Sequence, residues 1–271
     1  MATAGVVTLG MYDLPWVQGA NDTLWARLRR ALADAGWDEA PAAIERGRPI
    51  EAMLEDPHLL LGHTCGYPLR TRFAGRLRLV ATPVYRSPYA EGARHRSVLL
   101  VRADDPARSL EDLRGRVAAI NGFDSNTGMN LLRAAVAPLA AGGRFFGAVS
   151  VTGAHLDSLA AVAEGRAAIA AIDGVTYAII ARHAPERIAG VRALGVTPDT
   201  PGLPLVTRLE APDALVAALR AALAEALADP ATAPARAALG LIGFEVLPEH
   251  AYDRVLELER SAQAAGYPHL G

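Results

Sequence analysis

The amino-acid sequence predicts an α/β protein with two lobes. Short apolar strands alternate with amphipathic helices along most of its 271 residues, which is typical of largely parallel sheets covered by helices. Hydrophobic residues make up 51% of the chain, which is enough to fill a substantial core and excludes a disordered chain. A Pro/Gly-rich stretch at 195–204 is typical of a connection between two units.

The same pattern predicts how the two lobes are arranged along the chain. Lobe 1 is expected to contain residues 1–102 and 195–271, with the C-terminal helices packed on it, and lobe 2 to contain residues 103–194. The chain crosses between them near 97–102 and 191–204, and both crossings are expected to act as hinges. A cleft between two lobes is a common site for a small ligand, and closure of the lobes traps it.

In lobe 1, the alternation begins with an apolar strand at 6–9. A helix follows the capping residues Asn21–Thr23, because Leu24, Leu28 and Leu32 recur every four residues on one helical face. Further along the chain, a short helix is predicted at 49–54, and strands are predicted at 59–61, 77–84 and 97–101.

In lobe 2, each predicted strand is followed by a helix. The strands are expected at 117–120, 149–151 and 167–172, and the helices at 128–136, 156–163 and 175–181. Beyond the Pro/Gly-rich stretch the chain is expected to be mostly helical, at 212–227, 232–239 and 250–265. The loops after the lobe 2 strands lie at the carboxyl ends of those strands, where open α/β sheets bind ligands.

Composition excludes several classes of function. The 27 basic and 29 acidic residues give a net charge of −2, which argues against nucleic acid or an anionic membrane surface as the main partner. All basic residues are Arg, so Schiff-base chemistry and a Walker-type phosphate loop are excluded. Cys65 is the single cysteine, which excludes an internal disulfide. No metal site, cofactor or membrane insertion is predicted.

The most informative segment is the polar loop at 121–130, which follows a predicted strand and opens a helix. Backbone N–H groups at a helix start are unpaired, and the helix dipole favours negative charge there. Ser125, Asn126 and Thr127 add side-chain donors that can converge on the oxygens of a tetrahedral anion. Alternatively, Ser125 or Thr127 only caps the helix, and both interpretations stay open.

Two further strand ends carry polar residues. His155 begins a helix, where it can donate to an oxyanion, and Asp173 ends an apolar strand. Their alternatives are a structural histidine and a helix cap. In lobe 1, Tyr12 and Tyr67 follow strands, and their hydroxyls are suited to closing the far side of the cleft. Ordinary aromatic packing is the alternative for both tyrosines.

At these residues the chain resembles the substrate-binding proteins of phosphate, phosphite and phosphonate ABC transporters. The resemblance runs through nearly the whole chain, and it implies the type 2 periplasmic-binding-protein fold. The segments that carry it are Asp124–Gly128, Thr152–His155, Ala170–Asp173, Thr197–Pro198 and Pro201–Pro204.

The resemblance also implies a role for each site residue. Ser125, Asn126 and Thr127 would hold the oxyanion, and His155 would donate to it. Asp173 would accept a hydrogen bond from a protonated ligand oxygen or from an amine. Tyr12 and Tyr67 match ligand-facing tyrosines of the other lobe. The expected function is that of a non-catalytic solute-binding protein that closes around a small anion. An ABC permease is its implied partner, for uptake or sensing.

Electrostatics narrow the expected ligand. None of the matched positions is Arg, and the chain has no Lys, so a fully ionised dianion would be expensive to bury. Asp173 would repel a dianion unless one ligand oxygen carries a proton. We therefore expect a singly charged phosphate, phosphite or phosphonate group. A zwitterion such as an aminophosphonate, with its cationic end near Asp173, is the other expectation.

Two enzymatic hypotheses stay open beside the binding protein. A cytoplasmic enzyme on the same fold, similar to chorismate dehydratase, would use His155 and Asp173 as its acid and base. A thiol hydrolase would use Cys65 with His63. The visible N-terminus, Met1–Gly5, lacks the basic start of a secretory signal. It predicts a cytoplasmic protein, or a periplasmic one if a leader was removed.

Overall fold

The computed structural model describes residues 5–271 of the chain. Residues 1–4, on which the prediction about a leader rests, lie outside this range. The described strands are β1 (Val6–Thr8), β2 (Leu59–His63), β3 (Leu77–Tyr85), β4 (Ala90–Glu91), β5 (Arg94–His95), β6 (Ser97–Arg102), β7 (Val117–Ile120), β8 (Ala148–Val151), β9 (Ile169–Asp173), β10 (Val191–Val196), β11 (Thr200–Pro201), β12 (Leu205–Arg208) and β13 (Leu241–Glu245).

The described α-helices are α1 (Gln18–Asp34), α2 (Ile50–Leu54), α3 (Gly66–Arg70), α4 (Leu131–Val136), α5 (His155–Ala163), α6 (Gly174–His183), α7 (Asp213–Ala228), α8 (Ala233–Leu239) and α9 (Arg254–Ala264). Helix α1 begins at Gln18, before the predicted caps, and α3 occupies a segment for which no helix was predicted. Each of the remaining helices overlaps the helix predicted for its segment, and the first and last residues differ by a few positions at most.

The chain forms two compact units, which confirms the predicted two-lobed α/β fold. The first unit contains the residues up to Arg86 together with Gly202–Glu249. The second contains Ser87–Pro201 and His250–Gly271. The second unit therefore begins before the predicted boundary of lobe 2, and it also includes the end of the chain.

The C-terminal helix α9 packs in the second unit, whereas the sequence analysis assigned it to lobe 1. Asn130 Nδ2 donates to the Val255 carbonyl oxygen at 3.0 Å. Arg133 donates to the Pro268 carbonyl oxygen at 2.8 Å and lies 3.2 Å from Glu259. The amphipathic pattern of α9 predicted a helix, but such a pattern does not specify which apolar surface the helix covers.

In the first unit, the five-stranded sheet has the order β1-β2-β12-β3-β13. Strands β1 and β2 pair in parallel, whereas β12 and β13 run antiparallel to their neighbours. The prediction of largely parallel sheets is therefore wrong for this unit. Trp25 and Leu32 of α1 and Leu215 and Leu219 of α7 are buried in its core. Strands β12 and β13 were not predicted, because their short apolar runs follow Pro/Gly-rich and Ala-rich segments.

In the second unit, the five-stranded sheet has the order β10-β6-β9-β7-β8. Strand β7 is parallel to β8 and β9, while β6 and β10 are antiparallel to their partners. The segment predicted as a connection at 191–204 contains β10 and the short strand β11, which pairs with β5. Since β7, β8 and β9 run in one direction, their carboxyl ends meet at one edge of the sheet.

Candidate functional site

The loop after β7 enters α4 through a π-helical turn at Asn126–Asn130. The backbone of Ser125 is extended, and its Oγ accepts a hydrogen bond from the Gly128 N–H at 2.9 Å. Ser125 therefore caps the helix, as one of the two sequence interpretations predicted. Its hydroxyl proton is still available to an acceptor, and the first N–H groups of a helix have no intrahelical partner.

Gly128 allows this turn to lie directly against Asn121, a residue that the sequence analysis did not select. A Cβ atom at position 128 would lie 1.8 Å from Asn121 Oδ1 and 3.2 Å from Ser125 Oγ. Any other residue would therefore displace the Asn121 side chain. Asn121 Oδ1 is closed to solvent and has no hydrogen-bond partner among residues 5–271. A buried acceptor without a donor is rare in proteins and requires an explanation.

Thr127 and His155 meet at the centre of the site. Thr127 Oγ1 lies 2.9 Å from His155 Nε2, which connects the loop after β7 to the first residue of α5. His155 Nδ1 is closed to solvent and has no hydrogen-bond partner in the described part of the chain. If Nε2 accepts the threonine proton, Nδ1 carries a proton to donate; if Nε2 donates, the threonine hydroxyl is free to donate. Either tautomer leaves one donor for an anion.

The charge state of His155 follows from its surroundings. Burial lowers its pKa below the ordinary value, the Asp173 carboxylate raises it and His95 lowers it again. The net direction is downward, so the imidazole is neutral near pH 7. A bound anion would favour the protonated form, in which the Thr127–His155 pair offers two donors.

Asp173 ends β9 and is 1% exposed. Its Oδ1 accepts hydrogen bonds from the N–H groups of Val175 and Thr176, each at 2.9 Å, so the predicted capping role is present. Its Oδ2 lies 3.2 Å from His95 Nδ1. Burial raises the pKa of Asp173, but His95 and the hydrogen bonds lower it to about 2 overall. The carboxylate is therefore ionised at neutral pH, and both of its oxygens have protein partners.

The Asn126 side chain is fully buried and bound within the protein. Its Nδ2 donates to Thr200 Oγ1 at 3.0 Å, and its Oδ1 accepts from Asn130 Nδ2 at 3.0 Å. These bonds tie the loop to β11 and to the following helical turn. The amide of Asn126 thus holds the loop in place, and the ligand role predicted for Asn126 stays a prediction.

The structure adds a buried histidine that the sequence analysis did not select. His95 is 2% exposed, although it lies between two exposed arginines, Arg94 and Arg96. That charged stretch is typical of a surface loop, but β5 pairs with both β4 and β11, which buries the ring. The sequence nevertheless indicates a strand at this position, because Ala93, His95 and Ser97 alternate with the arginines at the two-residue period of a strand.

The two predicted tyrosines belong to the first unit. Tyr12 is 2% exposed, and its ring packs edge-on against His63 and Tyr85, with centroids 5.2 Å and 5.1 Å away. Tyr67 is half-buried near the start of α3. Their roles as ligand contacts stay predictions.

Cys65 is buried, and His63 Nε2 lies 3.2 Å from the Leu203 carbonyl oxygen. The imidazole of His63 is thus turned to the backbone in this arrangement. Within residues 5–271, no group of three or more His, Cys, Asp or Glu side chains is suited to hold a metal ion. None of the described helices combines the length and hydropathy that crossing a membrane requires.

One family model matches this sequence over residues 60–252, and it describes the periplasmic substrate-binding protein of phosphonate ABC transporters. A search of curated proteins found no match.

Several solved structures share the fold at low sequence identity. XAC2383 from Xanthomonas citri, solved with chloride and with ATP, is 18% identical with a TM-score of 0.71 in both cases. The chloride structure covers 97% of each chain, and the ATP structure covers 98%. PhnD1 from Prochlorococcus marinus, in complex with methylphosphonate, is 13% identical with a TM-score of 0.71. Its alignment covers 91% of this chain and 94% of its own.

Proposed function

The chain belongs to the family of phosphonate substrate-binding proteins of ABC transporters, and from that premise we propose that it binds a small tetrahedral oxyanion at Ser125, Thr127 and His155. Members of this family bind solutes without chemical conversion, so the two enzymatic hypotheses are set aside. His155 and Asp173 are then binding and positioning groups rather than an acid and a base.

One observation carries the proposal. His155 Nδ1 is buried without a hydrogen-bond partner among the described residues, beside a threonine hydroxyl and the start of a helix. Leaving a buried polar atom unpaired costs about 1–3 kcal/mol. An oxyanion would accept the proton of this imidazole–threonine pair, and the helix dipole would favour its charge.

The charges of the site support a singly charged phosphate, phosphite or phosphonate group. Each charge-assisted hydrogen bond contributes about 1.5–3 kcal/mol, so three or four would sustain micromolar binding after the entropic cost of association. No Arg lies among the predicted contacts, and a dianion would be harder to bury. A simple oxyanion is favoured over an aminophosphonate, because both Asp173 oxygens already have protein partners.

Of the solved structures, the one in complex with methylphosphonate supports the same ligand class. The Prochlorococcus protein was solved with methylphosphonate, and the Xanthomonas protein with chloride and with ATP. The partner that we propose is the permease of an ABC transporter, with uptake of the anion as the role. Sensing of the same anion is the alternative role.

Thermal unfolding with a panel of anions tests the proposal. The panel contains phosphate, phosphite, methylphosphonate, 2-aminoethylphosphonate, sulfate and chloride. An anion present at 100 times its Kd stabilises the native state by about 2.7 kcal/mol, which raises the Tm by several degrees. No response of the folded protein to any phosphorus oxyanion would overturn the proposal.

A matched pair of variants links the response to the site. Thr127→Val removes the hydroxyl at nearly constant volume, and we expect the Kd to rise by about tenfold or more. Thr23→Val removes an exposed hydroxyl on α1 and should leave the Kd unchanged. Equal Kd values for the two variants would place the anion elsewhere.

A further inference from the structure

We propose that His95, oriented by Asp173, accepts a hydrogen bond from a protonated oxygen of the bound oxyanion. The site would then select tetrahedral anions that carry an O–H group. This inference rests on the proposed function and names the ligand state that the site prefers. It moves the acceptor role, which the sequence analysis gave to Asp173, to the imidazole beside it.

The first support is the state of the His95 ring. The residue is 2% exposed, and neither of its nitrogens makes a hydrogen bond of ordinary geometry within residues 5–271. Nδ1 nevertheless lies 3.2 Å from Asp173 Oδ2. Nε2 is closed to solvent and has no partner in the part of the chain that the structure describes. Asp173 is thus the neighbour of Nδ1, whereas Nε2 has no partner among the described residues, and a buried polar atom of this kind requires an explanation.

The second support is its position beside the anion loop, the polar loop at 121–130 that follows β7. In β5, His95 pairs with Thr200 of β11, whose hydroxyl receives the Asn126 amide. Two residues further along, Ser97 Oγ donates to the Thr127 carbonyl oxygen at 2.8 Å. Residues two apart on an extended chain share a face, so His95 lies on the face of this segment that meets the loop.

The third support is the proximity of the two imidazoles. Both His95 and His155 interact electrostatically with the Asp173 carboxylate. His155 itself contacts Thr127. The two imidazoles, each with a ring nitrogen that has no partner among the described residues, therefore belong to one cluster with the loop.

Asp173 determines which nitrogen of His95 carries the proton. An ionised carboxylate only accepts hydrogen bonds, so the nitrogen that faces it, Nδ1, carries the hydrogen. The proposal concerns the neutral form of the ring, in which the other nitrogen, Nε2, is an acceptor. A buried acceptor needs a donor, and a protonated phosphoryl or phosphonyl oxygen supplies one. A ligand oxygen without a proton would place two lone pairs against each other.

Among the described residues, Asp173 is the carboxylate that lies within ion-pair distance of His95. Besides Asp173 and His155, the titratable and charged residues near it are Tyr89, Glu91, Arg94, Arg96 and Asp199, which line a polar cavity of about 510 Å³ that His95 borders. Arg94 and Asp199 lie 2.6 Å apart and neutralise each other. Asp173 is the carboxylate that faces the ring directly.

Three anions distinguish a preference for ligands with an O–H group from general anion binding. Inorganic phosphate keeps an O–H group throughout the neutral range, sulfate has none, and methylphosphonate has one only as the monoanion. For the wild-type protein we expect calorimetric titration to show that phosphate binds at least about 100-fold tighter than sulfate. Phosphate gains a hydrogen bond to His95 Nε2, and it avoids the lone-pair repulsion that sulfate meets there. The affinity for methylphosphonate should fall about tenfold per pH unit once the ligand has lost its second proton.

Two variants test the roles of the residues. His95→Phe removes the acceptor, so the preference for phosphate over sulfate should fall by at least about tenfold. Asp173→Asn keeps an acceptor for the capping N–H groups but turns an NH₂ group toward Nδ1, which should move the imidazole proton to Nε2. Sulfate and fully ionised methylphosphonate should then gain affinity relative to phosphate. Asp112→Asn, which alters a cap on an exposed turn, is the control and should keep the wild-type selectivity.

The outcomes distinguish this inference from the proposed function. If no phosphorus oxyanion binds the wild-type protein at any pH, the proposed function fails and this inference fails with it. If phosphate and sulfate bind equally, or if His95→Phe keeps the wild-type ratio, His95 is not the acceptor although the protein binds anions. If Asp173→Asn does not fold, the pH series on the wild-type protein and the His95→Phe ratio still decide the question.

Discussion

Both units bury histidine rings beside polar side chains, but the histidines of the two units differ in their hydrogen bonding. In the first unit, His63 is 3% exposed, its Nε2 lies 3.2 Å from the Leu203 carbonyl oxygen, and its ring packs edge-on against Tyr12. In the second unit, His95 and His155 leave buried ring nitrogens without partners among the described residues. A buried polar group with a protein partner is typical of packing. One without a protein partner needs another explanation, and under the proposed function that explanation is the bound anion.

The residues around His63 also differ in polarity from the residues around His95 and His155. Tyr12, His63 and Tyr85 border a small cavity of about 50 Å³ whose other lining residues are mostly aliphatic and aromatic. In the second unit, the buried histidines lie beside the Asp173 carboxylate and a helix start. Unpaired donors near a helix N-terminus suit an anion, and an apolar cavity does not.

Removal of the Asp173 carboxylate should have the largest effect on stability. Asp173→Ala leaves the N–H groups of Val175 and Thr176 without their acceptor in a buried place. We expect the free energy of unfolding to fall by about 3 kcal/mol in urea denaturation, since each buried donor left unpaired costs about 1–3 kcal/mol. Asp112→Ala removes a comparable cap from an exposed turn and should cost about 1 kcal/mol or less. Equal losses would mean that Asp173 is an ordinary cap.

The free energy of unfolding at acid pH also depends on the Asp173 carboxylate. The pKa of Asp173 is raised by burial but lowered overall from 3.8 to about 2, mainly by His95. Because the folded pKa lies below the unfolded one, this stabilisation is complete above pH 3.8 and is lost as the pH falls through 2. The loss amounts to about 2 kcal/mol. Urea denaturation across this range should show a flatter profile for Asp173→Asn; a profile parallel to that of the wild-type protein would contradict the assignment.

A methyl group at position 128 should perturb the anion loop more modestly. Gly128→Ala places Cβ against Asn121 Oδ1, so the free energy of unfolding should fall by about 1.5 kcal/mol in chemical denaturation. Anion affinity should weaken as well, because the loop must move. Gly19→Ala, in α1 with open space around it, should instead stabilise the protein by about 0.5 kcal/mol. A neutral Gly128→Ala would show that Asn121 is free to move.

Proton uptake on anion binding is the smallest predicted effect. Burial lowers the pKa of His155, and a bound anion should raise it, so binding near pH 7 should take up a fraction of a proton. Calorimetry in two buffers with different protonation enthalpies measures this uptake. It should disappear in His155→Gln and persist in His58→Gln, which changes an exposed histidine of the first unit. Uptake that is unchanged in His155→Gln would assign the proton to another group.

Several features of the candidate site were predicted from the sequence because they are local. The loop after β7, the cap formed by Ser125 and the cap formed by Asp173 depend on residues within a few positions of each other. The strand–loop–helix order around His155 is local in the same way. Such features follow from backbone geometry and from the donors that each side chain carries.

Other features were missed because they depend on pairing between distant parts of the chain. The burial of His95 comes from β5 pairing with β4 and β11, although its neighbours are exposed arginines. Strands β12 and β13 are short, and the antiparallel partners that stabilise them are contributed by other segments. Hydrophobic periodicity within a segment does not specify its partners.

The sequence by itself determined the α/β class, the anion-loop segment and the polar residues at three strand ends, since these depend on composition and on neighbouring positions. The tertiary structure alone decided that α9 packs in the second unit, where Asn130 meets Val255, and that His95 faces Asp173. The physical reason is that both contacts join residues far apart in sequence. Their free energy comes from burial and pairing in the folded chain, and no local pattern encodes it.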